Sequence, residues 1–365
     1  MMFCSRLSSR LLTCKEHARF LENRQWLQGL LKDFSVENVL GVPQATDSPC
    51  VMIYGSCVAG TSFQDGDADY AVVFPLKSSV SDFGPLEKLK ISPVKFLDVE
   101  REHHKNVLSS ILGHIERRNL SVELKFERIF AARVPIVRIK KLTNNSADSI
   151  RFDLSLSLDG LRNSLLIRLY MESDPRLRAG ALYAKLWGRS QKILDARRGW
   201  ISPYALTVMY IYYMQVTGRT TSVIDERKVD ELISLAAMQL SRDISVESSQ
   251  FYEMLPCQEV VVSEVLDDLR GFFGFFGDFR QFDFDSDVVD IRTQNKWLSK
   301  EQWLNELKQS GEKERWELLG YEMVMVRDPY EPHNLGRSVD FFRAEDIREM
   351  FRLASDGNSE NLLSL

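Results

Sequence analysis

Residues 54–74, YGSCVAGTSFQDGDADYAVVF, join two short apolar strands through a loop rich in glycine and aspartate. VMIYGS (Val51–Ser56) reads as a strand closed by a glycine turn, and Asp69–Phe74 as a second strand stopped by Pro75. Successive strand residues alternate in direction, so Asp67 and Asp69 project to one side. Two carboxylates held side by side repel at neutral pH unless a cation lies between them. Mg2+ suits such a pair because it prefers oxygen ligands and arrives with phosphates, and Mn2+ is the alternative. The small Gly55-Ser56 turn lets the backbone approach a triphosphate and adds a hydroxyl donor. An isolated Asp-x-Asp is more often a solvated turn, so the rest of the chain has to decide.

Working outward, a third acid with the right neighbours occurs in FDLS. Phe152, Leu154 and Leu156 form an apolar row that leaves Asp153 and Ser155 on the opposite face. If this strand lies beside Asp69–Phe74, three carboxylates converge and can hold two cations for an in-line displacement. Strand candidates also run at Val122–Glu127 and Ile136–Leu142, the latter joined to Ile150–Leu156 by the turn Asn144–Asp148. The start of the chain through Lys32 and Asp98–Arg118 read as helices. Asp174-Pro175 and Ser202-Pro203 each place a capping side chain before a first-turn proline. Strands gather in the first half and helices in the second, which predicts an α+β protein of two domains.

The composition sets bounds. With 365 residues the chain has length for two cores. Its 47 Lys and Arg against 52 Asp and Glu disfavour broad binding to duplex DNA, while a local basic cleft stays allowed. No window of eighteen apolar residues occurs, which argues against a membrane span. The five cysteines lack CxxC spacing and fit free thiols. MMFCSRLSSRLLTCK at the start is basic, serine-rich and free of acids, as in a mitochondrial presequence; a first helix with a basic face is the alternative, and with it a cytoplasmic location. GFFGFFGDFRQFDFD (271–285) reads as core-facing helix followed by an alternating strand, with Asp283, Asp285 and Asp287 structural. His103, His104 and His114 read as surface residues.

The ordered set of Gly-Ser turn, Asp-x-Asp strand and separate Asp153 strand resembles the signature of the DNA polymerase β-like nucleotidyltransferases. FDLSLSLDGLRNSLLIRLYMESDPRLRAGALYAKLWGRSQKI, ISPYALTVMYIYYMQ and DPYEPHNLGRSV further resemble, in order and spacing, the non-canonical poly(A) polymerase and terminal uridylyltransferase family. Within it they are most similar to the small trypanosomatid uridylyltransferases, and the basic start to mitochondrial members of RNA-editing complexes. The resemblance implies a mixed-sheet catalytic domain at 36–158 with an insertion around 78–130. It implies a helical base-binding domain made of 16–35 and 159–354, a tail at 355–365, and an active site in the cleft.

By this resemblance Asp67, Asp69 and Asp153 are the catalytic metal ligands, and Gly55 and Ser56 hold the triphosphate. Asn163 and Ser164 match the pair that contacts ribose and base. Lys185 and Arg189, one helical turn apart, match the cations on the β and γ phosphates. Tyr204 matches the aromatic under the base. Pro203 stands where the family has a second serine, and Ser202 is its substitute. Asp328 and Glu331 match an acidic pair that would accept uracil's N3–H, and His333 a histidine that excludes adenine. The implied activity is addition of UMP from UTP to a single-stranded RNA 3′ end, within a multiprotein RNA-editing or RNA-processing complex. The alternatives are an ATP-using poly(A) polymerase and a non-catalytic subunit on the same fold.

Overall fold

A computed structural model describes residues 7, 9–41, 46–76, 96–118, 122–142, 150–241, 252–256, 258–292 and 297–357. The chain forms two compact units, one of residues 10–166 and 226–255, the other of 1–9, 167–225 and 256–365. The first is built on a mixed sheet of β1 (Cys50–Tyr54), β2 (Ala68–Val73), β3 (Glu123–Ile129), β4 (Ile136–Leu142) and β5 (Ile150–Ser155), in the order β1-β2-β5-β4-β3. β2 and β5 pair in parallel, and the other neighbours are antiparallel. The joining turn at 144–148 lies outside the described residues, but the antiparallel β4–β5 register is that of a hairpin.

The sheet is apolar on one face, and that face needs a cover. Helix α1 (Cys14–Leu31) supplies it: the Tyr70 hydroxyl donates to Phe20 O at 2.9 Å, and Lys141 lies over the Trp26 ring at 4.2 Å. The Gln28 amide imitates a neighbouring strand, donating to Pro49 O and accepting from Val51 N, each at 2.7 Å. This corrects the expected assignment of residues 16–35 to the helical domain. The helix also starts later than expected. Thr13 and Glu16 form a capping box, and before it Leu11 bridges to Phe63 in extended form.

After α2 (Glu37–Leu40) and β2, helix α3 (Arg101–Glu116) buries Val107, Leu108, Ile111, Leu112 and Ile115. Its histidines are not all surface residues. His104 is buried with Nε2 at 2.8 Å from Val99 O, and burial lowers its pKa. His114 stands edge-on to Phe34 with Nε2 at 3.1 Å from Leu30 O. Both fall on the same helical stripe as the apolar residues, and a carbonyl meets one nitrogen of each ring.

Helix α4 (Leu158–Ser173) follows β5, and the boundary between the units falls within it. The second unit holds α5 (Pro175–Ser190), α6 (Pro203–Val216), α8 (Val262–Gly277) and α11 (Phe341–Asp356). α7 (Glu226–Ser241) belongs to the sheet unit, where Arg162 grips Asp230 at 2.8 and 3.0 Å. A small sheet of β6 (Asp287–Val289), β7 (Leu298–Ser299) and β8 (Met325–Val326), with α9 (Lys300–Gln309) and α10 (Lys313–Leu319), completes the helical unit. No helix among the described residues is long and apolar enough to cross a membrane.

The helical part of the phenylalanine-rich stretch is core, as expected, but the residues after it form turns and not the expected alternating strand, with Phe279 exposed. Phe272, Phe273, Phe275 and Phe276 leave α8 to pack with Tyr210, Tyr213, Trp187 and Phe351, at centroid distances of 4.4–6.2 Å among such pairs. Gly277 lets α11 close on α8, since a Cβ there would lie 2.7 Å from Arg352 N. The acids that follow close a turn: Asp283 accepts from Asp285 N and Ser286 Oγ. Phe272→Ala should destabilise the helical unit by about 3–5 kcal/mol through the cavity it leaves. Denaturant unfolding followed by near-UV dichroism checks this, and a loss below about 1 kcal/mol would contradict the packing described.

Candidate active site

The β2–β5 register sets Asp69 directly opposite Asp153, and the β4–β5 register sets Arg138 opposite Asp153. Tyr54 stands opposite Asp69 on the other side. One ladder therefore crosses the sheet on the face away from α1, through Tyr54, Asp69, Asp153 and Arg138. The expected convergence of the third carboxylate is present. Arg138 grips both oxygens of Asp153 at 2.9 and 2.8 Å, and Arg151 donates to Asp67 Oδ1 at 2.8 Å. Three carboxylates then face two guanidiniums, leaving one negative charge unmatched.

Asp69 bears that excess. Burial and the neighbouring Asp153 and Asp67 push its carboxyl up to about 7, against the pull of Arg138. Burial, with Asp69 and Asp153, raises the Tyr54 phenol, whose oxygen accepts from Ser155 Oγ at 3.1 Å. The donor set fits a hard divalent cation, being all carboxylate oxygen with one uncompensated charge, and Arg138 uses only two of the four lone-pair directions of Asp153.

Gly55 occupies the left-handed region at φ +80°, and a Cβ there would lie 2.3 Å from Asp69 Oδ2. The turn is pinned from α4: Ser164 Oγ accepts from Gly55 N at 2.7 Å and donates to Gly160 O at 2.6 Å. Ser164 thus holds the backbone of the turn, a role the resemblance did not assign to it, and keeps one acceptor lone pair. Asn163 precedes it on the same helix, half-buried. Ser56 is half-buried, with its carbonyl accepting from Thr61 N at 3.0 Å.

The remaining expected site residues lie in the helical unit. Ser202 caps α6, its Oγ accepting from Ala205 N at 3.0 Å, so only its O–H is left for a phosphate; Pro203 takes the first helical position. Tyr204 follows, half-buried, with its hydroxyl buried; burial raises its phenol, with Asp328 and Tyr330 adding to the shift. Tyr204 and the acidic loop are thus brought together. Asp328 Oδ1 accepts from Tyr330 N and Glu331 N, both at 2.9 Å, which folds the loop back on itself. His333 Nδ1 lies 3.2 Å from Glu331 Oε2, and its Nε2 lies 3.9 Å from Asp328 Oδ2. Lys185 is buried within α5 and Arg189 is exposed at its end, so the pair shares a helix but not an environment.

Sequence reasoning missed Tyr54, Arg138 and Arg151. Arg151 was legible, two residues before Asp153 and hence on its face. A hairpin centred between Asn145 and Ser146 would have paired Arg138 with Asp153.

The chain matches two family models: the central palm domain of mitochondrial-like poly(A) RNA polymerases over residues 7–172, and the Cid1 family poly A polymerase module over residues 268–334. The poly(A) RNA polymerase GLD2 of Xenopus tropicalis is 24% identical over 321 residues, 85% of this chain and 52% of the relative. Terminal uridylyltransferase 3 of Trypanosoma brucei brucei is 27% identical over 226 residues, covering 56% of this chain and 24% of that protein. The chain therefore spans about half the length of the first relative and a quarter of the second. In fold it is similar to terminal uridylyl transferase 4 from Trypanosoma brucei with bound dUTP, with a TM-score of 0.65, 21% identity and coverage of 100% of this chain and 98% of the other. The Cid1 poly(U) polymerase crystal structure gives 0.63 at 18% identity, covering 99% of this chain and 96% of the other.

Two outcomes test the site. A proton on Asp69 favours the folded, cation-free state, a contribution complete below the ordinary carboxylate range and lost as pH rises through about 7. In EDTA, Asp69→Asn should therefore raise Tm over wild type at pH 8.5, with the gain shrinking below pH about 7; a gain independent of pH would contradict the shift. Gly55→Ala should weaken Mn2+ binding roughly tenfold or more by displacing Asp69 Oδ2. Titration followed by the free-ion electron paramagnetic resonance signal reads it, and wild-type affinity would show that the close approach is not needed.

Proposed function

We propose that the chain, which matches models of the poly(A) RNA polymerase palm and the Cid1 family module and is similar to both poly(A) RNA polymerases and a terminal uridylyltransferase, adds UMP from UTP to the 3′-hydroxyl of single-stranded RNA. The 3′-oxygen bonds to the α-phosphorus as the α–β anhydride breaks, and pyrophosphate leaves. Asp67, Asp69 and Asp153 hold Mg2+ in this reading. Divalent cations bound there would neutralise phosphate charge and lower the pKa of the attacking hydroxyl. Gly55 and Ser56 receive the triphosphate, and Ser164 fixes their turn. The contribution of the protein is positioning and charge compensation more than proton chemistry.

The observation that supports UTP is the acidic loop gathered at Tyr204. Uracil presents an N3–H donor, whereas cytosine and adenine present an acceptor at the corresponding edge. A carboxylate that accepts from N3–H leaves the wrong base with a repelled, unpaired edge, worth about 1–3 kcal/mol. Asp328 spends one oxygen on its own loop, so Glu331 is the acid we assign to the base, directly or through water, with His333 Nδ1 3.2 Å from its carboxylate. The second reading, ATP as donor, is favoured by the GLD2 relatives.

Extension of a labelled single-stranded RNA primer with each nucleoside triphosphate in turn separates them. Uridine addition should predominate, and equal or greater use of ATP would overturn the base assignment. Asp67→Ala and Asp69→Ala should each reduce extension to background with an unchanged far-UV dichroism spectrum. Glu331→Gln should narrow the UTP-over-ATP ratio by roughly tenfold or more, a change read by competition between the two nucleotides.

A further inference from the structure

Beside the ladder of carboxylates runs a second ladder on the same face of the sheet. Lys125 on β3 is paired with Lys140 on β4, and Lys140 with Arg151 on β5; all three are exposed. Arg151 ends the row at Asp67, to which it donates. The next row, one alternation along each strand, is Glu127, Arg138, Asp153 and Asp69. Three cations in consecutive cross-strand positions are unfavourable, because side chains directly opposite stand roughly 5 Å apart and like charges there repel. Among the described residues neither lysine has an ion-pair partner that relieves this, whereas Arg138 in the next row reaches both Asp153 and Glu127. An arrangement that opposes stability and is left uncompensated points to an external anion.

We propose that Lys125, Lys140 and Arg151 bind the phosphate backbone of the RNA strand whose 3′ end is held at the carboxylates. The inference rests on the reading that the chain extends RNA, and deepens it by giving the strand a path. Neighbouring strands are about 4.8 Å apart, so the row is roughly 10 Å long and begins at a catalytic aspartate. Lysine suits the task, since a point charge on a flexible stem follows a backbone without reading bases. Glu123 and Glu127, the other charges on this face of β3, flank the row and keep the strand to it.

The test is binding of a labelled single-stranded oligouridylate to the full chain, without nucleotide, over a range of KCl. Lys125→Gln with Lys140→Gln should weaken binding at low salt. It should also reduce the steepness of log K against log salt by about 1.4, two contacts at roughly 0.7 each. KM for RNA should rise while KM for UTP stays unchanged, and Lys105→Gln, exposed on α3, should alter neither slope nor KM. An unchanged slope in the double variant overturns the inference even in a chain that extends RNA normally. A lowered slope in a chain that fails to extend RNA with any of the nucleoside triphosphates supports the row as an RNA site and removes the transferase reading instead.

Discussion

The parallel register that sets Asp69 opposite Asp153 is the constraint on which the rest of the sheet unit depends. It brings a carboxylate from a hairpin late in the domain beside one from the Asp-x-Asp strand. Repulsion follows, and much of the surrounding structure answers it. Arg138 and Arg151 supply two counter-charges, Tyr54 and Ser155 a hydroxyl pair, and the sheet's other face a deep apolar support in Tyr70 and Phe152, edge-on at 5.4 Å. The compensation stops one charge short, and Asp69 responds by holding its proton to about neutrality. Carboxylates gathered in this way suit a divalent cation.

Gly55 shows how closely the backbone is fitted to that cluster. Its positive φ and missing Cβ let the turn after β1 lie against Asp69 Oδ2, and Ser164 locks the turn from α4. The serine could be singled out from sequence, but its role could not: a hydroxyl at that position suits a nucleotide as well as it suits a backbone N–H. Ser202 and Asp328 follow the same pattern, since one caps a helix and the other folds its own loop. Residues that a family motif assigns to ligand here also build the local backbone.

The strands, the acidic triad and the aromatic core were legible because alternation and burial of phenylalanine are local signals. The cover of the sheet by α1 was not, because a helix of low amphipathicity at the start of the chain does not announce its partner. The buried histidines were misread for a related reason. His104 and His114 lie on the apolar stripe of α3, yet imidazole alone does not reveal whether a carbonyl waits for it. The arginine partners needed the hairpin register, which the turn residues define only loosely.

The central claim is that Asp67, Asp69 and Asp153 form one cation site of two ions. Counting Mn2+ bound in the presence of a non-hydrolysable UTP analogue and a single-stranded RNA tests it most directly. Two ions per wild-type chain and one per Asp153→Asn chain are the predicted result. Equal numbers in both proteins would contradict the account, because Asp153 would then lie beside Asp69 without sharing its cations.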